Sequence, residues 1–99
     1  MKQVFISQPM KDKTDEYILE ERMRAIDAAK EQLNEDVGVL DSFFQGAPHD
    51  AKPLWFLGKS LQLLSTADIA VFAPGWDEYR GCRIEYECCK QYGIPVIEL

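Results

Sequence analysis

Four short apolar runs, separated by three stretches of helical spacing, constrain this chain more than any other feature. Residues 2–6, 37–43, 69–73 and 94–97 read as strands. Between the first two, Thr14 is an N-cap residue followed by Asp15 and Glu16, whose charge suits a first helical turn. The helix it opens runs to about Asn34. Ile18, Ala25, Ile26, Ala29 and Leu33 share one face, which Leu19 and Met23 widen, while Glu20-Glu21 and the acidic patch at 31–36 read as solvated surface. Residues 45–50 form a loop with turn chemistry. Pro53 opens a second helix, where its missing N–H costs nothing, with Leu54, Leu57, Leu61 and Leu64 as its stripe. The third helix covers 79–92 and stops at Gly93. Pro95 suits the start or the edge of a strand.

Strands alternating with helices imply an α/β fold with a parallel sheet and right-handed crossovers. The expected architecture is a doubly wound four-stranded sheet, order 2-1-3-4, in a flavodoxin/Rossmann-like three-layer sandwich. Residues 1–99 amount to one domain. In such a sheet the loops after strands 1 and 3, residues 7–13 and 74–80, flank the crevice at the switch point.

The net charge of -6 argues against binding a nucleic-acid polymer, which needs a basic stripe. No apolar stretch approaches the roughly 20 residues of a membrane span. Met1-Lys2-Gln3 leads straight into a strand, so no signal peptide is expected. The cysteines, Cys82, Cys88 and Cys89, are odd in number and read as reduced thiols of a cytoplasmic protein. With no C-x-x-C pair and a single distant His49, no metal site is expected. The loop after strand 1 is neither a Walker A nor a G-x-G-x-x-G loop, and no cofactor is implied.

The crevice supplies the chemistry. Glu85 falls in the first turns of the third helix, at the functional edge of the sheet and near a helix N-terminus that favours negative charge. Its neighbour Glu87 points to another face, so the two are not an acid pair. Ser7, Gln8, Pro9 and Met10, beside Lys11 and Lys13, suit a sugar hydroxyl or a phosphate. Gly75 and Gly81 bracket Trp76 and Tyr79, which can wall a base or ring. Cys82 sits where a helix N-terminus can lower a thiol pKa, but a Cys–His enzyme would depend on His49 alone. Cys88-Cys89 reads as helix packing.

These residues carry a resemblance. Val4-Phe5-Ile6-Ser7-Gln8-Pro9-Met10 resembles the opening of a group of small phage and bacterial proteins. Ala67-Asp68, Pro74-Gly75-Trp76 and Gly81-Cys82-Arg83-Ile84-Glu85 resemble their second half. That group is similar to the nucleoside 2-deoxyribosyltransferase superfamily, which includes the 2′-deoxynucleoside 5′-phosphate N-hydrolases. The resemblance implies a nucleoside or nucleotide substrate, with Glu85 as the nucleophile that attacks C1′ and Ser7 and its neighbours on the sugar or phosphate side. It implies two departures. Ser60 stands where those enzymes carry an Asp that helps protonate the leaving base, and Leu99 is the last residue where they continue and lend residues to a neighbouring subunit. Slow deoxyribosyl transfer is the expectation, with Asp77, Glu78 or water as the substitute proton source.

Three readings stay open at this point: an enzyme acting at the N-glycosidic bond, a nucleotide-binding or sensing module on the same fold, and an assembly protein without a ligand. A homo-oligomer, most simply a dimer, is expected from the short chain and from Trp55, Phe56, Trp76 and Tyr79, an aromatic supply beyond what so small a core needs.

Overall fold

The structure, a computed structural model, describes residues 1–44 and 46–99. Its elements run β1 (Lys2–Ser7), α1 (Asp15–Leu33), β2 (Val37–Val39), α2 (Pro53–Leu64), β3 (Ile69–Phe72), a 3-10 turn (Trp76–Glu78), α3 (Arg80–Tyr92) and β4 (Val96–Glu98). The four strands form one sheet in the order β2-β1-β3-β4, and every neighbouring pair is parallel. The expected α/β topology is therefore present.

The two-residue alternation of the strands sorts the core. Val4, Ile6, Ile69 and Val71 pack with Ala25 and Ala29 of α1. Phe5, Ala70 and Phe72 point the other way, toward Leu64 of α2 and Cys89 of α3. One helix thus covers one face and two cover the other. Ser7 shares the parity of Phe5, which aims it at the α3 side.

Local chemistry sets the ends of the elements. The Thr14 hydroxyl accepts the Tyr17 N–H at 3.1 Å and caps α1. Gly93, at φ 73°, ends α3 in the left-handed conformation. Asp68 and Gln3 fix the register of β1 against β3 from the outer end. The Gln3 N–H donates to the Asp68 carboxylate at 2.7 Å, and the Asp68 N–H returns a bond to the Gln3 carbonyl at 2.8 Å.

Four expectations are corrected. β2 stops at Val39 rather than residue 43. The Ser42 N–H turns back onto the Leu40 carbonyl at 3.0 Å, and its hydroxyl donates to the Ile6 carbonyl at 2.9 Å, so a side chain replaces the ladder. β4 is shifted to Val96–Glu98, because Pro95 has no N–H and contributes only its carbonyl, to Ala70 at 2.9 Å. On α1, Leu19 and Met23 are exposed, whereas Glu21 is buried beside Arg22. On α2, Leu54 is exposed and the stripe begins effectively at Leu57. The expected loop at 45–50 begins at Gln45, which lies outside the described residues.

Candidate functional site

A cleft of about 800 Å³ opens at the carboxyl ends of β1 and β3. Its walls come from the β1–α1 loop (Gln8 to Lys11), the segment Ser42 to Phe44, α2 and the start of α3. This is the switch-point position, where β1 is flanked by β2 and β3 and its loop diverges from the one after β3. The volume is that of a small-molecule site. No helix among the described residues is long and apolar enough to cross a membrane, and no group of metal-ligating side chains is gathered among them.

Glu85 lies on the floor. It sits in the second turn of α3, only 7% exposed, and its Oε1 accepts the Ser7 hydroxyl at 2.6 Å. Burial raises its pKa above the ordinary carboxylate value, and hydrogen bonding from Ser7 and then from Ser60 opposes the rise. Burial thus outweighs the stabilisation expected from the helix N-terminus. Glu87 is exposed and faces away, accepting from Gln91 at 3.0 Å.

Ser60, one face of α2, lines the cleft, as do Gln8, Pro9, Met10, Tyr79 and Gly81. A Cβ at Gly81 would meet nothing within 4 Å, so the missing side chain leaves open room there. Ser7 is 2% exposed and lies behind Glu85, its hydroxyl already engaged. Lys11 and Arg80 are exposed cations on the lining.

Other expected site residues stand elsewhere. Trp76 is not on the cleft; it stacks on Tyr86, centroids 4.3 Å apart at 20°, and packs edge-on against Phe72. Gly75 is also off the cleft, and its φ of 85° is what the turn into the 3-10 segment demands. Asp77 and Glu78 do not line the cleft, so neither is placed to serve as a substitute acid. Cys82 does line it, but burial, partly offset by Ser7, pushes its thiol up to about 11, the reverse of the lowering that a helix N-terminus can give. His49 is exposed and absent from the cleft.

A buried polar network stands behind the opposite wall. Gln8 Nε2 donates to Glu21 at 3.1 Å and to the Ile18 carbonyl at 3.3 Å. Arg22 donates to Gln8 Oε1 at 3.0 Å, to the Ser42 hydroxyl at 3.2 Å and to the Leu40 carbonyl at 3.2 Å. Desolvation lowers the pKa of Arg22, with Asp41 opposing. The Gln8 amide is therefore spent on protein partners, although the residue borders the cleft. Sequence reading missed this network, and also Ser42, Phe43, Phe44, Phe56 and Ile84 as lining. One signal was available: Ile18, Glu21, Arg22, Ala25 and Ala29 fall at helical spacing, so two charged residues share the apolar face.

No protein-family model matches the chain, and no curated protein matches it. Among solved structures, the fold is similar to that of a conserved protein from Enterococcus faecalis V583, with a TM-score of 0.68 at 15% identity. The match covers 99% of this chain and 62% of that one, so the likeness is one of fold and spans less than two thirds of the other protein.

Proposed function

We propose that this chain cleaves or transfers at the N-glycosidic bond of a nucleoside or nucleotide, with Glu85 as nucleophile. The observation that carries the reading is the buried Glu85 carboxyl, held at 2.6 Å by Ser7 on the floor of a ligand-sized cleft at the switch point. The resemblance of the Ser7-Gln8-Pro9-Met10 and Gly81–Glu85 motifs to the nucleoside 2-deoxyribosyltransferase superfamily adds the substrate class.

In this reading the ionised Glu85 attacks C1′. The C1′–N bond breaks, its electron pair leaves with the base, and the base takes a proton from water, a deficit made good by the proton that the second nucleophile loses. Water, or a second base, then attacks C1′ and frees the carboxylate. Burial raises the Glu85 pKa and so makes its carboxylate the more basic nucleophile, while the Ser7 and Ser60 hydroxyls oppose the rise. Lys11 and Arg80 suit a substrate bearing negative charge.

A second reading, a module that binds the same ligand without turnover, rests on one observation. Glu85 is the one carboxyl among the described residues that line the cleft, and Ser60 occupies the place of the expected acid. Incubation with a panel of nucleosides and 5′-nucleotides, followed by chromatography of the free base, separates the two. Base release that disappears in Glu85→Gln is the expected result. Thermal stabilisation by a ligand without release favours the binding module and overturns the enzyme.

A further inference from the structure

Three aromatic rings at or beside the cleft, Phe44, Trp55 and Phe56, are not consumed by the core. Phe44 and Phe56 line the cleft together with Phe43, and Trp55 stands behind them beside an adjoining hollow of about 380 Å³ that Phe43 and Phe44 also border. Trp55 meets Phe44 and Phe56 edge-on, at 6.1 and 5.1 Å with interplanar angles of 80° and 81°. Phe44 and Phe56 are 6.4 Å apart and tilted by 43°. No ring of the three is stacked parallel on another, and with Lys59 over the Trp55 ring at 5.8 Å the rings left to meet a guest are Phe44 and Phe56. Trp76, by contrast, already has a parallel partner in Tyr86.

The spacing fits a nucleoside. Phe56 and Ser60 both line the cleft and stand four residues apart on α2, one helical turn or about 6 Å. Ser60 and Glu85 line the same cleft, and the Ser60 hydroxyl opposes the rise of the Glu85 pKa. A ligand with its reacting carbon over Glu85 can therefore reach Phe56 within about one helical turn. We infer that the planar heteroaromatic end of the ligand stacks on the Phe44–Phe56 wall, backed by Trp55, while its hydroxylated end lies over Glu85. This rests on the function proposed above and replaces Trp76 as the ring-binding aromatic. Stacking of a base on an aromatic side chain is commonly worth a factor of about ten in affinity, and more in good geometry.

The test uses Glu85→Gln, which holds a ligand intact. It is titrated with the 2′-deoxynucleoside 5′-monophosphates of adenine and thymine, and with ringless 2-deoxyribose 5-phosphate, while side-chain resonances are followed by NMR. At least one nucleotide should shift the ring signals of Trp55, Phe44 and Phe56 and leave the Trp76 indole in place. Phe44→Leu and Phe56→Leu should weaken that nucleotide about ten-fold and leave the sugar phosphate unchanged. A Trp76 response without Trp55, equal weakening of ringed and ringless probes, or no response to either nucleotide overturns the assignment. The titration needs no variant of the wall itself, so misfolding of the leucine variants does not decide the outcome. Base release by the unsubstituted protein without any Trp55 response sinks the wall alone. A Trp55 response without base release sinks the turnover reading and leaves the wall standing.

Discussion

The Ser7 hydroxyl donates to Glu85 at 2.6 Å, joining the end of β1 to the second turn of α3 across 78 residues of sequence. Both side chains are buried, Ser7 behind Glu85 at the floor of the cleft, so the bond is largely shielded from water. A hydrogen bond to an ionised, desolvated acceptor contributes about 1.5–3 kcal/mol. Removing it acts on the charge of Glu85 as well as on its orientation.

Ser7→Ala should therefore raise the Glu85 pKa further, since the hydroxyl opposes the effect of burial. The pH-rate profile for base release should shift its acidic limb upward, with activity at neutral pH falling roughly ten-fold or more. A uniformly lower profile with an unmoved limb would make Ser7 a packing residue only.

Glu85 itself costs stability at neutral pH. Its folded-state pKa is raised by burial, so its contribution is fully present below the unfolded value near 4.5 and is lost as pH rises through the folded value. Glu85→Gln keeps an acceptor for Ser7 without the charge. The variant should have the higher Tm at pH 7, with the gap closing as pH falls toward 4.5. Thermal melts across that range check the sign, and a variant less stable at every pH contradicts it.

Arg22→Met should be costly although Arg22 does not line the cleft. It would strip donors from Gln8, Ser42 and the Leu40 carbonyl and leave Glu21 buried near an unanchored amide. A loss of about 3 kcal/mol is expected, or a fall in Tm of roughly 15 °C. Arg22→Lys should rescue little of it, because an ammonium cannot span three acceptors as the guanidinium fork does. Chemical denaturation of the three proteins measures this directly.

Ser60→Asp places a second carboxyl beside Glu85. Two such groups cannot both ionise freely, so one retains a proton near neutral pH and can donate it to a leaving base. Base release should rise, with a bell-shaped pH dependence absent from the unsubstituted protein. Unchanged or slower release would locate the proton donor elsewhere.

The topology was legible because it depends on period and punctuation. Apolar runs of strand length, the Thr14 cap and Gly93 mark the elements without reference to their neighbours. The cleft was legible only in part. Glu85, Tyr79 and Gly81 follow from their place on the sheet's functional edge, and Ser60 from the resemblance alone. Trp76 does not, since nothing local reveals that Tyr86, ten residues on, would claim its face. Arg22 and Glu21 were hidden by their charge: only tertiary partners, Gln8 and Ser42, make their burial tolerable. Phe43 read as the end of a strand until Ser42 turned the chain away from the sheet.

The reciprocal bonds between Gln3 and Asp68 bridge 65 residues, and they carry a consequence for synthesis. β1 is an inner strand, flanked by β2 and β3. During translation it leaves the ribosome well before β3, so one row of its N–H and C=O groups has no partner while α1, β2 and α2 are being made. Val4, Phe5 and Ile6 flank that open row, the kind of edge that recruits foreign strands. A chain interrupted before Ile69 would keep a sticky ribbon instead of half a binding site, and slowing elongation within α2 should increase aggregation of the nascent protein.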